Sequence, residues 1–383
     1  MKKIDLNEIR LQNIRAILDV LRQDGAITRQ NIAERTGLSL MSVTNIVDQL
    51  LRNRVIEVLS APAQKGKKQV GRKADVVRLD VRDELWMVIM LTDRHFRFAT
   101  LYADRSAGFN SQPWPFRREK TYEENLRAFL QECAVYIRER APHIIGVAVV
   151  VPGPYDPDTD CVSNMRIPEL NVICLKKTLG ELLGGLFVYV DEDVKFATRA
   201  YAEFYSDAPS LYYLYIGVGI GGALAQEGRI FRSLNAVAGD PSQIPAGSNL
   251  NFEQRLSIKS FVSRLSGEKI GDIAIERGLQ ILSELAQNQR DTYRRALTDV
   301  SRDVAELLNI VGWLLDPFAV VIDCPYAAVA AMEEEFYQAV EENLEKRTSL
   351  GRIPRFCPRL PNMEAQYFGA VKALEKYWIE SME

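Results

Sequence analysis

A chain of 383 residues, 47% hydrophobic and 26% charged, is long enough for two or three domains with cores of their own. No apolar stretch approaches the roughly 18 residues that cross a bilayer, and the opening MKKIDLNEIRLQNIRAILDVL breaks its apolar positions with charge, unlike a signal peptide, so a cytoplasmic protein without a membrane partner is expected. The net charge of −3 conceals an asymmetry: residues 1–80 carry 15 Lys+Arg against 9 Asp+Glu, a net of +6, and the remainder stands at −9.

A basic segment on an acidic body is the electrostatic footprint of a small nucleic-acid reader attached to something else. In that segment Ile14, Ile17, Leu18 and Leu21 recur at helical spacing, and Asp24-Gly25 closes the helix. Thr28 caps a second, short helix, RQNIAERTG, which ends at Gly37. Ser39 caps a third, LMSVTNIVDQLLRN, with a buried stripe of Val43, Ile46, Val47, Leu50 and Leu51. Three helices with a tight glycine turn between the second and third make a helix-turn-helix. Its recognition helix exposes Ser39, Met41, Ser42, Thr44 and Asn45 near the end that meets base edges in the major groove.

Two strand-like runs follow, at about 55–59 and 75–80, joined by a Gly/Lys-rich loop, which makes the module a winged helix. The wing carries Lys65, Lys67, Lys68, Arg72 and Lys73, cations that track phosphates and set affinity more than sequence choice. A helical protein-interaction module with a basic linker is the competing reading.

From about residue 84 the pattern turns α/β. LWMVIML and FRFATLYAD read as a strand pair, ENLRAFLQECAVYIRERA as an amphipathic helix, and IIGVAVVVPGP as a buried strand ending in a Pro-Gly turn. LFVYVD is another buried strand, followed by the helix VKFATRAYAEFY. LYYLYIGVGIGGALAQEGRIF reads as a hairpin holding a glycine-rich loop, the kind of turn that cradles phosphates. The third quarter is helical, VVI near 320 is one more strand, and YFGAVKALEKYWIES is a closing helix. Five scattered cysteines (Cys133, Cys161, Cys174, Cys324, Cys357) and two histidines (His95, His143) argue against zinc knuckles, redox pairs and multi-histidine centres, so neither metal nor cofactor is expected.

The order GRKADVVRL, GVAVVVPGPYD, VSNM, VYVDEDVKFATRAYAE, YIGVGIGGALAQEGRIFRSLNAVAGD, LLDPFAVVI and FGAVKAL resembles the ROK family of sugar kinases and sugar-responsive repressors over nearly the whole chain. The resemblance implies a winged helix-turn-helix at 1–80 followed by an actin-like (ribonuclease H-like) ATPase fold in two lobes. The first lobe takes 81–190 and is completed by the helix at about 365–383, and the second takes 191–364. The winged helix aligns the chain with the family's repressors.

Kinase chemistry of that kind needs a base for the attacking hydroxyl and glycine turns that let backbone amides reach phosphates. Asp193 matches the family's base, although Glu192 stands where an Asn usually precedes it. The same aspartate contacts a sugar hydroxyl in members that catalyse nothing. The first phosphate turn is missing, because no glycine occurs between Gly71 and Gly108, and after FAVVI the chain reads Asp323-Cys324-Pro325 in place of Gly-Gly. The loop Gly217 to Gly222 survives alone. The family's zinc cluster is also lost: Asp240 replaces its Glu, Gln243 its His, and no cysteine follows before Cys324.

These residues lead us to expect a sugar-responsive DNA-binding regulator of the repressor type, without catalytic residues of its own. Its sugar contacts by resemblance are Gly153, Asn164, Asp193, Asp240 and Gln243, in a cleft between the lobes. Its partners are double-stranded operator DNA, a small carbohydrate effector, and further copies of itself as a homodimer or higher homo-oligomer. A bifunctional ATP-dependent sugar kinase and a regulator whose sensor binds a protein remain as alternatives.

Overall fold

The computed structural model of the protein describes residues 6–59, 75–92, 95–164, 167–247, 249–266, 275–360 and 364–381. The first helix, Leu6–Asp24, buries Ile14, Ile17, Leu18 and Leu21 and stops at Gly25, whose φ of 70° demands glycine. Thr28 accepts the Asn31 amide to start the helix Arg29–Thr36, and left-handed Gly37 ends it by donating to the Ala33 carbonyl. The third helix, Leu40–Arg52, buries Val43, Ile46, Val47 and Leu50, while Leu51 is only half-buried. Each fully buried side chain of this size contributes about 1.5–3 kcal/mol. A three-stranded antiparallel sheet of Ile27–Thr28, Val76–Leu79 and Ile56–Leu59, in that order, completes the winged helix. The wing cations Lys65, Lys67, Lys68, Arg72 and Lys73 lie outside the described residues.

The chain divides into two compact units, one of residues 1–149, 172–190 and 370–383, the other of 150–171 and 191–369. In the first, the winged helix shares a unit with strands of a six-stranded sheet. That sheet runs Phe187–Glu192, Gly146–Val151, Trp86–Leu91, His95–Leu101 and Ala107–Asn110, with the short Trp114–Pro115 also pairing to His95–Leu101. Gly146–Val151 is buried at every residue, as a central strand covered on both faces requires. Thr121 and Glu124 form a capping box at the head of the helix Tyr122–Glu139, which packs Phe129 on Phe96 and Phe98. The carboxy-terminal helix Ala365–Ser381 sets Trp378 edge-on to Trp86 at 5.9 Å.

The second unit is built on a five-stranded sheet ordered Arg229–Ile230, Ile220–Gln226, Ser210–Ile216, Ala319–Asp323 and Arg355–Cys357. Its antiparallel hairpin runs from Ser210↔Gln226 to Ile216↔Ile220, and Leu211 to Tyr215 pair in parallel with Ala319 to Asp323. Side chains alternate along these strands. Leu211, Tyr213, Ala223 and Val321 pack under the helix Asp193–Phe204, whereas Tyr212, Leu214, Leu224 and Val320 join a core with the 26-residue helix Arg290–Leu315. Among the described residues no helix is long and apolar enough to cross a membrane.

Candidate functional site

The recognition helix is fixed at its start by its own cap. Ser39 Oγ accepts the Ser42 amide at 3.2 Å, and the two hydroxyls lie 2.9 Å apart. Behind the cap the helix presents Met41 and Asn45 to solvent with Thr44 half-buried beside them, opposite the stripe Val43, Ile46, Val47 and Leu50. Leu40, outside the sequence-predicted set, is also exposed. Arg29 of the second helix reaches Asp48 of the third at 2.7 Å and braces the pair.

A buried carboxylate fastens this reader to the body. Glu375, on the carboxy-terminal helix, takes Arg22 Nη2 of the first helix at 2.5 Å and Arg105 Nη2 at 2.8 Å, while Arg22 also donates to the Ala103 carbonyl at 3.3 Å. Burial alone raises the Glu375 carboxyl, but the two guanidiniums outweigh it and hold the group below its ordinary value. Close by, burial and Arg105 push the Lys372 ammonium down to about 8.

The second unit resumes at Asp191, where the end of the strand Phe187–Glu192 and the start of the helix Asp193–Phe204 set three successive acids, Asp191, Glu192 and Asp193. Asp193 Oδ1 accepts the adjacent Val194 amide at 2.7 Å. Asp191 is buried against Arg232 Nη2 at 2.5 Å. Glu192 is buried 3.1 Å from Lys195 Nζ, which also donates to the Ala236 carbonyl at 2.7 Å. Burial pushes the Glu192 carboxyl up to about 8; Lys195 opposes the shift and the charges of Asp193 and Asp240 add to it. Burial likewise raises the Asp240 carboxyl, although its oxygens accept from the Ser242 amide at 2.9 Å and hydroxyl at 3.1 Å.

Asp193 and Asp240 gather with Glu192 and Lys195, and exposed Gln243 adjoins them through Ser242 Oγ at 3.5 Å while accepting from Asn251 at 3.1 Å. Gly153 and Asn164 adjoin each other. Gly153 has φ 133°, and a β-carbon there would meet the Ser163 carbonyl at 2.9 Å. Asn164 donates to the Pro152 carbonyl and accepts the Ile167 amide at 2.9 Å, so its amide orders this turn. Lys195 was not among the sequence-predicted residues; its one signal is a cation three residues after Glu192 in the acidic stretch Asp191 to Asp193.

Tyrosines fill the glycine-rich hairpin. A β-carbon on Gly222 would collide with the Tyr212 hydroxyl, which donates to the Gly239 carbonyl at 2.8 Å, and one on Gly217 with the Tyr215 ring. Asp323 accepts from Tyr213 Oη at 2.9 Å and faces Arg359, which is held at 2.9 Å by Glu333. The donor set after Gly239 does not fit the zinc that the family resemblance implies. It offers a hydrogen-bonded carboxylate and an amide in place of thiolates and imidazole, and Cys324 is buried with its thiol pushed far up by desolvation.

A winged helix joined to two α/β sheets of this topology defines a DNA-binding module on an actin-like body. Residues 114–352 match the model of the ROK family and residues 10–57 that of winged helix-turn-helix DNA-binding domains; the chain belongs to the ROK family. It is 26% identical over 238 residues to the DNA-binding transcriptional dual regulator NagC of Escherichia coli K12, a match spanning 61% of this chain and 57% of that protein. In fold it is similar to a ROK family transcriptional regulator described as a homologue of the E. coli MLC protein, with a TM-score of 0.71, 18% identity and coverage of 98% and 97% of the two chains. It is also similar to a ROK family glucokinase from Streptomyces griseus solved with glucose and AMPPNP, with a TM-score of 0.59, 16% identity and coverage of 76% and 98%.

Proposed function

We propose that the protein is a sugar-responsive transcriptional repressor whose ROK body senses a ligand and joins copies into a homodimer or higher homo-oligomer, without phosphoryl transfer. The observation that carries this reading is the capped, solvent-facing recognition helix tied through Arg22 and Glu375 to the last helix of the body. Residues 1–80 are the reader, with Ser39, Met41, Ser42, Thr44 and Asn45 toward bases and the cations Lys65, Lys67, Lys68, Arg72 and Lys73 toward phosphates. Residues 81–190 with 365–383, and 191–364, are the two sensor lobes. Asp193, Asp240 and Gln243, with Gly153 and Asn164, supply the donors and acceptors that a polyol needs. A ligand that favours one arrangement of the body shifts the spacing of paired winged helices and so changes operator affinity.

The absence of catalysis is supported by the glycine-free first hairpin, the tyrosines over Gly217 and Gly222, and the Asp323–Arg359–Glu333 network. The test is a thermal-shift screen against hexoses, pentoses, N-acetylhexosamines, polyols and their phosphates, with ATP and magnesium as a separate arm, followed by operator titration with any hit. A ligand at 100 times its dissociation constant adds about 2.7 kcal/mol. A sugar that stabilises the protein and changes operator affinity supports the proposal. A sugar that leaves operator affinity unchanged sinks it, ATP turnover with a hexose restores the kinase, and operator binding indifferent to every carbohydrate points to a protein effector.

A further inference from the structure

The recognition helix enters the major groove by its amino-terminal turn, so the groups that turn leaves free decide what it reads. Two of its hydroxyls are already engaged: Ser39 Oγ accepts the Ser42 amide and shares a hydrogen bond with Ser42 Oγ. What remains outward on the first turn is an apolar pair, Leu40 at 54% exposure and Met41 at 77%. One turn further along the same face stand Thr44 and Asn45, four residues after each of them. The opposite face, Val43, Ile46, Val47 and Leu50, is committed to the core, so neither apolar side chain has a place within the winged helix.

In the major groove only the thymine C5-methyl offers an apolar group to such side chains, while the amide of Asn matches the N6 donor and N7 acceptor of adenine. Both chemistries converge on the same base pair. We infer that Leu40 and Met41 read thymine methyl groups, with Asn45 directed to adenine, so that A·T steps are the specificity-determining part of each half-site. The inference rests on the proposed DNA-binding function and names the class of sequence that function selects.

The experiment starts with selection of duplexes from a random pool by the full-length protein. The best operator is then resynthesised with deoxyuridine at each thymine in turn, which removes a methyl group and keeps the pairing. Each contacted methyl should be worth about a fourfold loss in affinity, the value of one buried carbon. Leu40→Ala and Met41→Ala proteins should lose a similar factor on the thymine operator and become indifferent to uracil at the positions they read. Both side chains are exposed, and unchanged circular dichroism and thermal midpoint establish that the variants fold. Equal affinity for thymine and uracil operators overturns the inference, as does discrimination that survives in both alanine variants. A pool that yields no preferred sequence overturns the DNA-reading function itself, a failure distinguishable from the other two.

Discussion

Glu375 and Glu192 are both buried carboxylates beside a cation, yet they are driven in opposite directions. Glu375 is gripped by two guanidiniums and held below its ordinary value; Glu192 has one ammonium, shared with the Ala236 carbonyl, and two acidic neighbours, and it is pushed up to about 8. Desolvation opposes ionisation at both, so the number of cations per carboxylate and the sign of the remaining neighbours decide the result. Excess cation makes a permanent fastening between reader and body. Excess acid leaves a group near neutrality whose proton any newly bound donor or charge can shift, which suits the region assigned to ligand contact.

The comparison breaks most visibly at Glu375. Glu375→Leu takes the shared buried carboxylate from Arg22 and Arg105 while Arg22 keeps Asp19 at 3.0 Å, and should cost about 3 kcal/mol in urea unfolding, whereas an R22M/R105M/E375L triple variant should recover most of that loss. A small cost for the single variant would mean that the triad contributes no more than a surface pair.

The pH dependence of Glu192 is expected to be the next largest effect. A carboxyl raised in the folded state contributes stability that is fully present below about pH 4.5, its unfolded value, and lost as pH climbs through about 8, giving up about 3 kcal/mol by neutrality. Denaturation midpoints from pH 5 to 8.5 should therefore fall less steeply for Glu192→Gln than for the native chain, while Glu375, with the opposite shift, loses its contribution only in acid. Parallel slopes would refute the assignment.

Two smaller substitutions sharpen the scale. Ser39→Ala removes the cap hydrogen bond from the recognition helix and should cost about 1 kcal/mol. Arg355→Met breaks an exposed pair with Asp207 and should lower the urea midpoint least of all, with the small difference vanishing when salt screens it; a loss as large as that of Ser39→Ala would show that exposure is a poor guide to ion-pair strength here.

The same contrast explains what the sequence displayed. The helix-turn-helix was legible because its signals are local: Thr28, Gly37 and Ser39 act within four residues of themselves, and the buried stripe repeats at helical spacing. The hairpin Ser210–Gln226 was legible from alternation and its glycines, but the tyrosines that fill those glycines were not. Asp193 and Asp240 were expected from motif order, whereas Lys195 was not, since the carbonyl it holds lies 41 residues away at Ala236. Asn164 was read as a side chain for hydroxyls; its bonds to the backbone of Pro152 and Ile167 depend on a turn that no spacing rule reveals. The Glu375 triad had no local signal at all.

The separation of 353 positions between Arg22 and Glu375 also has a consequence for synthesis. The helix-turn-helix has its caps and apolar stripe within its own segment, but the carboxylate that fastens it is made 353 residues after Arg22. At 5–20 residues per second the interval is roughly 20–70 s. Through that interval the helix-turn-helix holds its local contacts without its tether, and Arg22 gains the Glu375 carboxylate only when the helix Ala365–Ser381 docks.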